Sequence, residues 1–184
     1  MGRGNRFIPG AEVTMALTAS RKKFKDKIIK SQRNLGAIVD GLKSQGKSIV
    51  LTTGCFDLLH VGHARFLEDA KSRGDFLVVG VFDDKIAAKQ KGKGFPIQES
   101  VERMEVLAAL ESVDYVCEVA DEDGASLISA LSPSVYAKGT DHNERALTER
   151  AAMKANGVKF LACGDKKAHS AAKIVGKIRK RKFD

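Results

Sequence analysis

From Ser48 onward the chain alternates between short apolar runs and longer stretches in which apolar residues recur every three or four positions. Ser48–Thr53 (SIVLTT) is a β-branched run closed by Gly54, and Phe76–Phe82 (FLVVGVF) is almost continuously apolar. Both read as strands buried on two faces. Tyr115–Val119, Ser134–Ala137 and Val158–Cys163 supply three shorter strands. Val61–Ser72 points Phe66, Leu67 and Ala70 to one side of a helix, and Gln98–Leu110 (QESVERMEVLAAL) is strongly amphipathic. Helical stretches near 124–131, 143–156 and 170–181 complete the series. Continuous apolar strands separated by helix-length crossovers imply a parallel sheet covered on both faces. The predicted architecture is α/β: a doubly wound, five-stranded parallel sheet with ligands expected beyond the carboxyl ends of its strands.

Ahead of the sheet, Phe24, Ile28, Leu35, Ile38, Val39 and Leu42 recur at helical spacing. Residues 21–47 therefore read as a helical extension of one or two amphipathic helices, stopped at Gly46. Residues 1–20 hold Gly and Pro without periodicity and read as a disordered basic N-terminus. The sheet domain is expected over 48–178, followed by a basic tail at 179–184.

Charge refines this picture. The net charge of +9 is divided unevenly, with +8 on residues 1–48, −4 on 49–172 and +5 on 173–184. The globular core is thus mildly acidic and only its ends are basic. Aromatic residues make up 6% of the chain and there is no Trp, so no stacking platform for single-stranded nucleic acid is present, and nucleic acid is an unlikely partner. The basic stretch Lys173–Lys182 reads either as a docking face for an acidic partner or as the solvated face of a terminal helix. No apolar run approaches the roughly 20 residues that span a bilayer, and no hydrophobic stretch of signal-peptide length is seen. The three cysteines are odd in number and widely spaced, which matches neither a disulfide framework nor a metal site and suits a cytoplasmic protein.

The chemistry is concentrated directly after the first strand, in Gly54-Cys55-Phe56-Asp57-Leu58-Leu59-His60-Val61-Gly62-His63, which runs into a helix. Two histidines three apart at a helix opening project from one side. Gly62 between them removes a side chain where backbone can approach a ligand. The helix N-terminus offers unpaired N–H groups and partial positive charge to an anion. Together these features describe a cradle for a triphosphate with two imidazoles aimed into it.

This G-x-F-D-x-x-H-x-G-H segment resembles the signature of the HxGH cytidylyltransferase-like superfamily, and the similarity extends over roughly residues 27–178. It is carried further by Lys91-Gly92 with Pro96, by ESVERMEVLAALESVDYV, by YAKGTDH and by HSAAKI. Within the superfamily the chain most resembles adenylyltransferases that make ADP-heptose from a heptose 1-phosphate. Cytidylyltransferases acting on glycerol phosphate are similar more distantly.

The resemblance implies nucleotidyl transfer: a substrate phosphate attacks the α-phosphorus of ATP (or CTP) and pyrophosphate leaves. Such a reaction asks for positioning and positive electrostatics rather than a covalent nucleophile. By resemblance, His60, His63, Lys91 and Arg103 are the expected catalytic residues. Thr53, Gly54, Cys55, Phe56, Gly62, Lys138, Gly139, Asp141 and Ser170, with both histidines, would line the nucleotide. Asp57, Lys91 and Arg103 would meet the second substrate. Several bland readings stay open. Lys91 sits in what reads as a Gly-flanked loop (KGKGFP), where it is either a phosphate contact, with Lys93 as its stand-in, or a solvated lysine. Arg103 is either a site residue or an outward charge paired with Glu99. Asp57 is either a substrate ligand or a turn cap. Phe82 faces either the substrate pocket or the core. The chain also departs from the pattern: Thr140 stands where a second glycine is usual, and Ala171-Ala172 where hydroxyl residues are usual. These losses keep a catalytically impaired, nucleotide-binding scaffold in view. The resemblance further implies Mg²⁺ carried on the triphosphate, with no dedicated protein cage, and a homodimer.

Overall fold

A computed structural model describes residues 23–166 and 169–181 of the 184-residue chain. The expectations placed on residues 1–20 and on the last three residues of the tail lie outside the described residues.

Five strands form the sheet: β1 (Ile49–Gly54), β2 (Phe76–Phe82), β3 (Tyr115–Val119), β4 (Val135–Gly139) and β5 (Lys159–Cys163). Their order is β3-β2-β1-β4-β5 and every pairing is parallel. The order reverses at the β1/β4 boundary, which opens a crevice at the carboxyl ends of these two central strands. The predicted doubly wound sheet is therefore present.

Period-two alternation along the strands divides the apolar residues between two cores. Ile49, Leu51, Val78 and Tyr136 face Leu35 and Val39 of α1 (Gln32–Ser44), Leu127, Ile128 and Leu131 of α5 (Ala125–Leu131) and Met153 of α6 (Arg150–Ala155). Val50, Leu77, Val79, Val81, Val116 and Ala137 face Leu67 and Ala70 of α2 (Val61–Lys71) and Met104, Leu107 and Ala108 of α4 (Ser100–Ala108). Burial on both faces explains why the strand segments read as unbroken apolar runs. Among the described residues, no helix is long and apolar enough to cross a membrane.

The structure corrects several boundaries. Helix α1 begins only at Gln32, where the Ser31 hydroxyl accepts the Asn34 amide. The segment before it is a short 3₁₀ turn, Phe24–Lys27, followed by extended chain. There Ile28 bridges Val116 and the Ile29 amide donates to the Val116 carbonyl at 2.8 Å, so two β-branched residues cover the β3 edge. Helix α3 (Asp84–Lys91) fills a stretch to which no element was assigned and takes in the first residue of the expected 91–96 loop; the Asp83 carboxylate caps it at the Ile86 amide, and Gly92 ends it with φ of 87°. Lys91 is thus the last residue of a helix and not a loop residue. The stretch near 143–156 divides into a 3₁₀ turn, Glu144–Ala146, and α6. The last helix, α7, spans Ala171–Lys180.

Gly80 in β2 has no room for a side chain, since a Cβ there would lie 2.7 Å from Val119 Cγ2 and 2.9 Å from Leu127 Cδ2. Gly80→Ala is expected to cost about 1–3 kcal/mol by overpacking, measured by urea unfolding. An unchanged unfolding midpoint would contradict this account of the β2–β3–α5 packing.

Candidate active site

The turn after β1 is built from an unfavourable backbone. Phe56 and Leu58 have φ of 49° and 47°, in the left-handed region that side-chain-bearing residues rarely occupy. Two charged side chains hold it there. The Asp57 carboxylate accepts the amides of Ile97 at 2.8 Å and Gln98 at 3.1 Å, tying the turn to the approach of α4. From below, the Arg103 guanidinium, with 0% exposure, donates to the carbonyls of Cys55, Phe82 (2.8 Å) and Gln98 (3.0 Å) and pairs with Asp84 at 2.8 Å. Arg103 therefore joins the motif turn, the end of β2 and the starts of α3 and α4.

The turn delivers His60 as the N-cap of α2, with its Nδ1 accepting the His63 amide at 3.3 Å. In the neutral ring the proton then sits on Nε2, which is left as a donor. The His60 and His63 rings stack with centroids 3.9 Å apart and planes 13° apart, and Phe56 lies 5.5 Å from His63. A Cβ on Gly62 would lie 3.1 Å from the His60 ring, so only glycine lets that ring rest against the helix entry. Burial, with the neighbouring charges of His60 and Lys91, holds His63 down at about 4. Burial, followed by the His169 and Lys91 charges, also lowers His60. Both imidazoles are thus neutral at pH 7 until an anion arrives to favour their protonated forms. His63 Nδ1 is buried with no hydrogen-bond partner among the described residues, which marks it as a group awaiting a ligand.

A cavity of about 330 Å³ opens over these groups at the strand ends. It is lined by Thr53, Gly54, Cys55, Phe56, Asp57, His60, Gly62, His63, Lys91, Lys138, Gly139, Asp141 and Ser170. Sequence reasoning had placed all of these at the site, and the fold brings them together. Arg103 is not among them. It neither reaches a substrate phosphate nor points outward toward Glu99, because its guanidinium is consumed beneath the cavity floor. Lys93 does not line the cavity, and Phe82 belongs to the core with 3% exposure.

Lys138 borders the cavity, but its ammonium turns inward. It donates to the Thr53 carbonyl at 3.1 Å and hydroxyl at 3.0 Å and pairs with Glu149 at 3.0 Å. Tyr136 completes this buried network, 2.6 Å from the Thr53 hydroxyl and 2.7 Å from the Glu149 carboxylate. Burial favours a neutral Glu149, but the Lys138 charge and the Tyr136 hydroxyl outweigh it and hold the carboxyl below its usual value. Lys138 thus braces the ends of β1 and β4 instead of offering a free ammonium to a nucleotide. Tyr136 and Glu149 were not singled out from sequence. Nor were Arg65 and His169, which also border the cavity; His169 stood in a quoted segment but carried no argument. Arg65 pairs with Asp165 at 2.8 Å, and the Thr140 hydroxyl donates to the Asp165 carbonyl at 2.8 Å, so two elements clasp the segment after β5. No cluster of three His, Cys, Asp or Glu able to hold a metal occurs among the described residues.

Fold and cavity define a class: a Rossmann-like α/β protein with an anion cradle, HxGH, at its first strand–helix junction. The chain belongs to the cytidylyltransferase-like family, whose model matches residues 51–177. It is 39% identical over 154 residues to the bifunctional protein HldE of Alkalilimnicola ehrlichii, covering 84% of this chain and 32% of that protein. The bifunctional protein HldE of Geobacter metallireducens is 37% identical over 153 residues, with 83% and 31% covered. The chain thus spans about a third of the length of the curated relatives it matches. Among solved structures, the lipopolysaccharide core biosynthesis protein of Thermoplasma volcanium superposes with a TM-score of 0.56 at 28% identity, covering 66% of this chain and 100% of that one.

The position of Arg103 makes it a structural keystone. Arg103→Met leaves the Cys55, Phe82 and Gln98 carbonyls without their donor, and is expected to cost about 2–5 kcal/mol in urea unfolding. A loss below roughly 0.5 kcal/mol, as for an ordinary surface residue, would contradict the assignment.

Proposed function

We propose that this chain is a nucleotidyltransferase that moves AMP from ATP to a sugar 1-phosphate, with heptose 1-phosphate as the substrate, and releases pyrophosphate. The observation that carries the proposal is the meeting of His60, His63 and the α2 N-terminus in one cavity, with a buried, unpartnered ring nitrogen on His63. The choice of ATP and heptose rests on the sequence resemblance to heptose 1-phosphate adenylyltransferases. Similarity to HldE proteins and to a lipopolysaccharide core biosynthesis protein supports it.

In this reading the triphosphate lies across the entry of α2, where the first amides carry no intrahelical bond and the helix dipole favours negative charge. His60 donates from Nε2 to a phosphate oxygen. His63, partly desolvated, takes up positive character as charge moves to the departing pyrophosphate, so its interaction strengthens along the reaction coordinate. Lys91, at the end of α3 and close enough to bear on both imidazoles, draws the incoming sugar phosphate toward the α-phosphorus. The attacking oxygen is already anionic, so no protein base is needed. Asp57, engaged with two backbone amides, acts by holding the turn.

Mg²⁺ enters as the counter-ion of the nucleotide substrate, held mainly by the phosphates and not by a dedicated protein cage. A homodimer belongs to the same proposal by resemblance, and a cytoplasmic setting by the three free cysteines.

The test is pyrophosphate release with ATP and CTP against a panel of sugar 1-phosphates and alcohol phosphates. Turnover is expected with ATP and heptose 1-phosphate in the presence of Mg²⁺. His63→Ala is expected to lower kcat about 10²–10³-fold with an unchanged far-ultraviolet spectrum. Preferential use of CTP with glycerol phosphate would replace this reading by a cytidylyltransferase. Release with no pair would favour a nucleotide-binding scaffold, a reading that draws on the alanines at 171 and 172.

A further inference from the structure

The entry of α7 forms the wall of the cavity opposite α2. Its first two residues, Ala171 and Ala172, bring only methyl groups to that wall. Ser170 caps the helix, its Oγ accepting the Lys173 amide at 3.2 Å, and its O–H is the one side-chain donor left at this entry. The side-chain donors that this position would need to hold a phosphate are largely missing. Immediately before the cap, however, stands His169, which borders the same cavity.

His169 is set against the motif. Its ring centroid is 6.3 Å from that of His60, with the planes inclined at 40°. Its Cβ would lie 3.3 Å from a Cβ on Gly62, so the bare backbone of Gly62 is what admits the α7 entry at this distance. The His169 charge is also the second cause, after burial, that disfavours protonation of His60. Three imidazoles and two helix N-termini therefore converge on one space. An anion entering it favours the protonated form of His60, and a phosphate seated between His60 and His169 can accept N–H···O bonds from both rings.

We propose that His169 is a phosphate-binding residue, gripping the terminal phosphates of the nucleotide from the α7 side in place of the hydroxyls that Ala171 and Ala172 lack. The proposal rests on the nucleotide reading of this cavity but needs no particular second substrate. It makes His169 specific for the polyphosphate end of the ligand: a nucleoside monophosphate, which has no terminal phosphates, does not engage it.

Calorimetric titration of the full chain with inorganic tripolyphosphate and with AMP separates this from other roles. His169→Ala is expected to weaken tripolyphosphate binding about tenfold, the size of one charge-assisted hydrogen bond, and to leave AMP binding and the thermal midpoint unchanged. In an A171T/A172T background the same substitution is expected to cost less, because restored hydroxyls share the load. Tripolyphosphate binding unaffected by His169→Ala, an equal loss for AMP, or no tripolyphosphate binding by the unaltered chain would each overturn the proposal. Failure of the sugar-phosphate reading appears instead as tripolyphosphate binding that depends on His169 without pyrophosphate release from any substrate pair.

Discussion

A strained turn can persist only where its surroundings leave it no alternative, and the turn between β1 and α2 is such a place. Left-handed backbone at Phe56 and Leu58 costs on the order of 1–3 kcal/mol at each residue. The cost is offset by Arg103, which holds the Cys55 carbonyl from beneath, and by Asp57, whose carboxylate reaches the amides of Ile97 and Gln98. These contacts all come from the connection between β2 and β3, so the turn takes shape only when that crossover is packed beside β1. Catalytic geometry and tertiary fold are in this sense one constraint: the imidazoles are aimed by a backbone that the domain as a whole keeps from relaxing.

A second brace lies under the other half of the cavity. Lys138, Glu149, Tyr136 and Thr53 satisfy one another in a buried network at the ends of β1 and β4. The switch point of the sheet, where ligands bind, is also where the two strands share the fewest registered pairs, Val50–Val135 and Leu51–Tyr136. Side chains supply there the cross-strand bonding that the backbone ladder stops providing. A fully satisfied polar network of this kind is rigid, and its partners are costly to separate. Charge is thus used in two ways. Arg103 and Lys138 are spent on architecture, while Lys91 and the histidines remain directed at the cavity.

Much of this was legible along the chain because it is local. The β1–turn–α2 unit announces itself through a β-branched run, a glycine and two histidines at helical spacing, and β2 through an apolar run buried on both sides. Helix α3 was missed because Asp84–Lys91 is short and polar, with only Ile86 and Ala87 buried, so its periodicity is faint. Arg103 was expected at the substrate by resemblance, with an exposed pair to Glu99 as the other reading; its actual partners are three carbonyls and the Asp84 carboxylate, and a carbonyl leaves no mark in a sequence. Glu149 was invisible for the same reason, as its meaning depends on Lys138 arriving from a neighbouring strand. Segment 24–30 read as helix because Phe24 and Ile28 fall at a helical interval, whereas its fate is set by the β3 edge it covers.

The central claim is that polyphosphate lies between the entries of α2 and α7, held by imidazoles and helix amides. A crystal structure with a non-hydrolysable ATP analogue and Mg²⁺ tests it most directly. The account predicts phosphate oxygens within hydrogen-bond distance of His60 Nε2 and of the α2 amides, with the His63 ring nitrogen newly partnered. A triphosphate bound elsewhere, with those imidazoles unmoved and unpartnered, would contradict it.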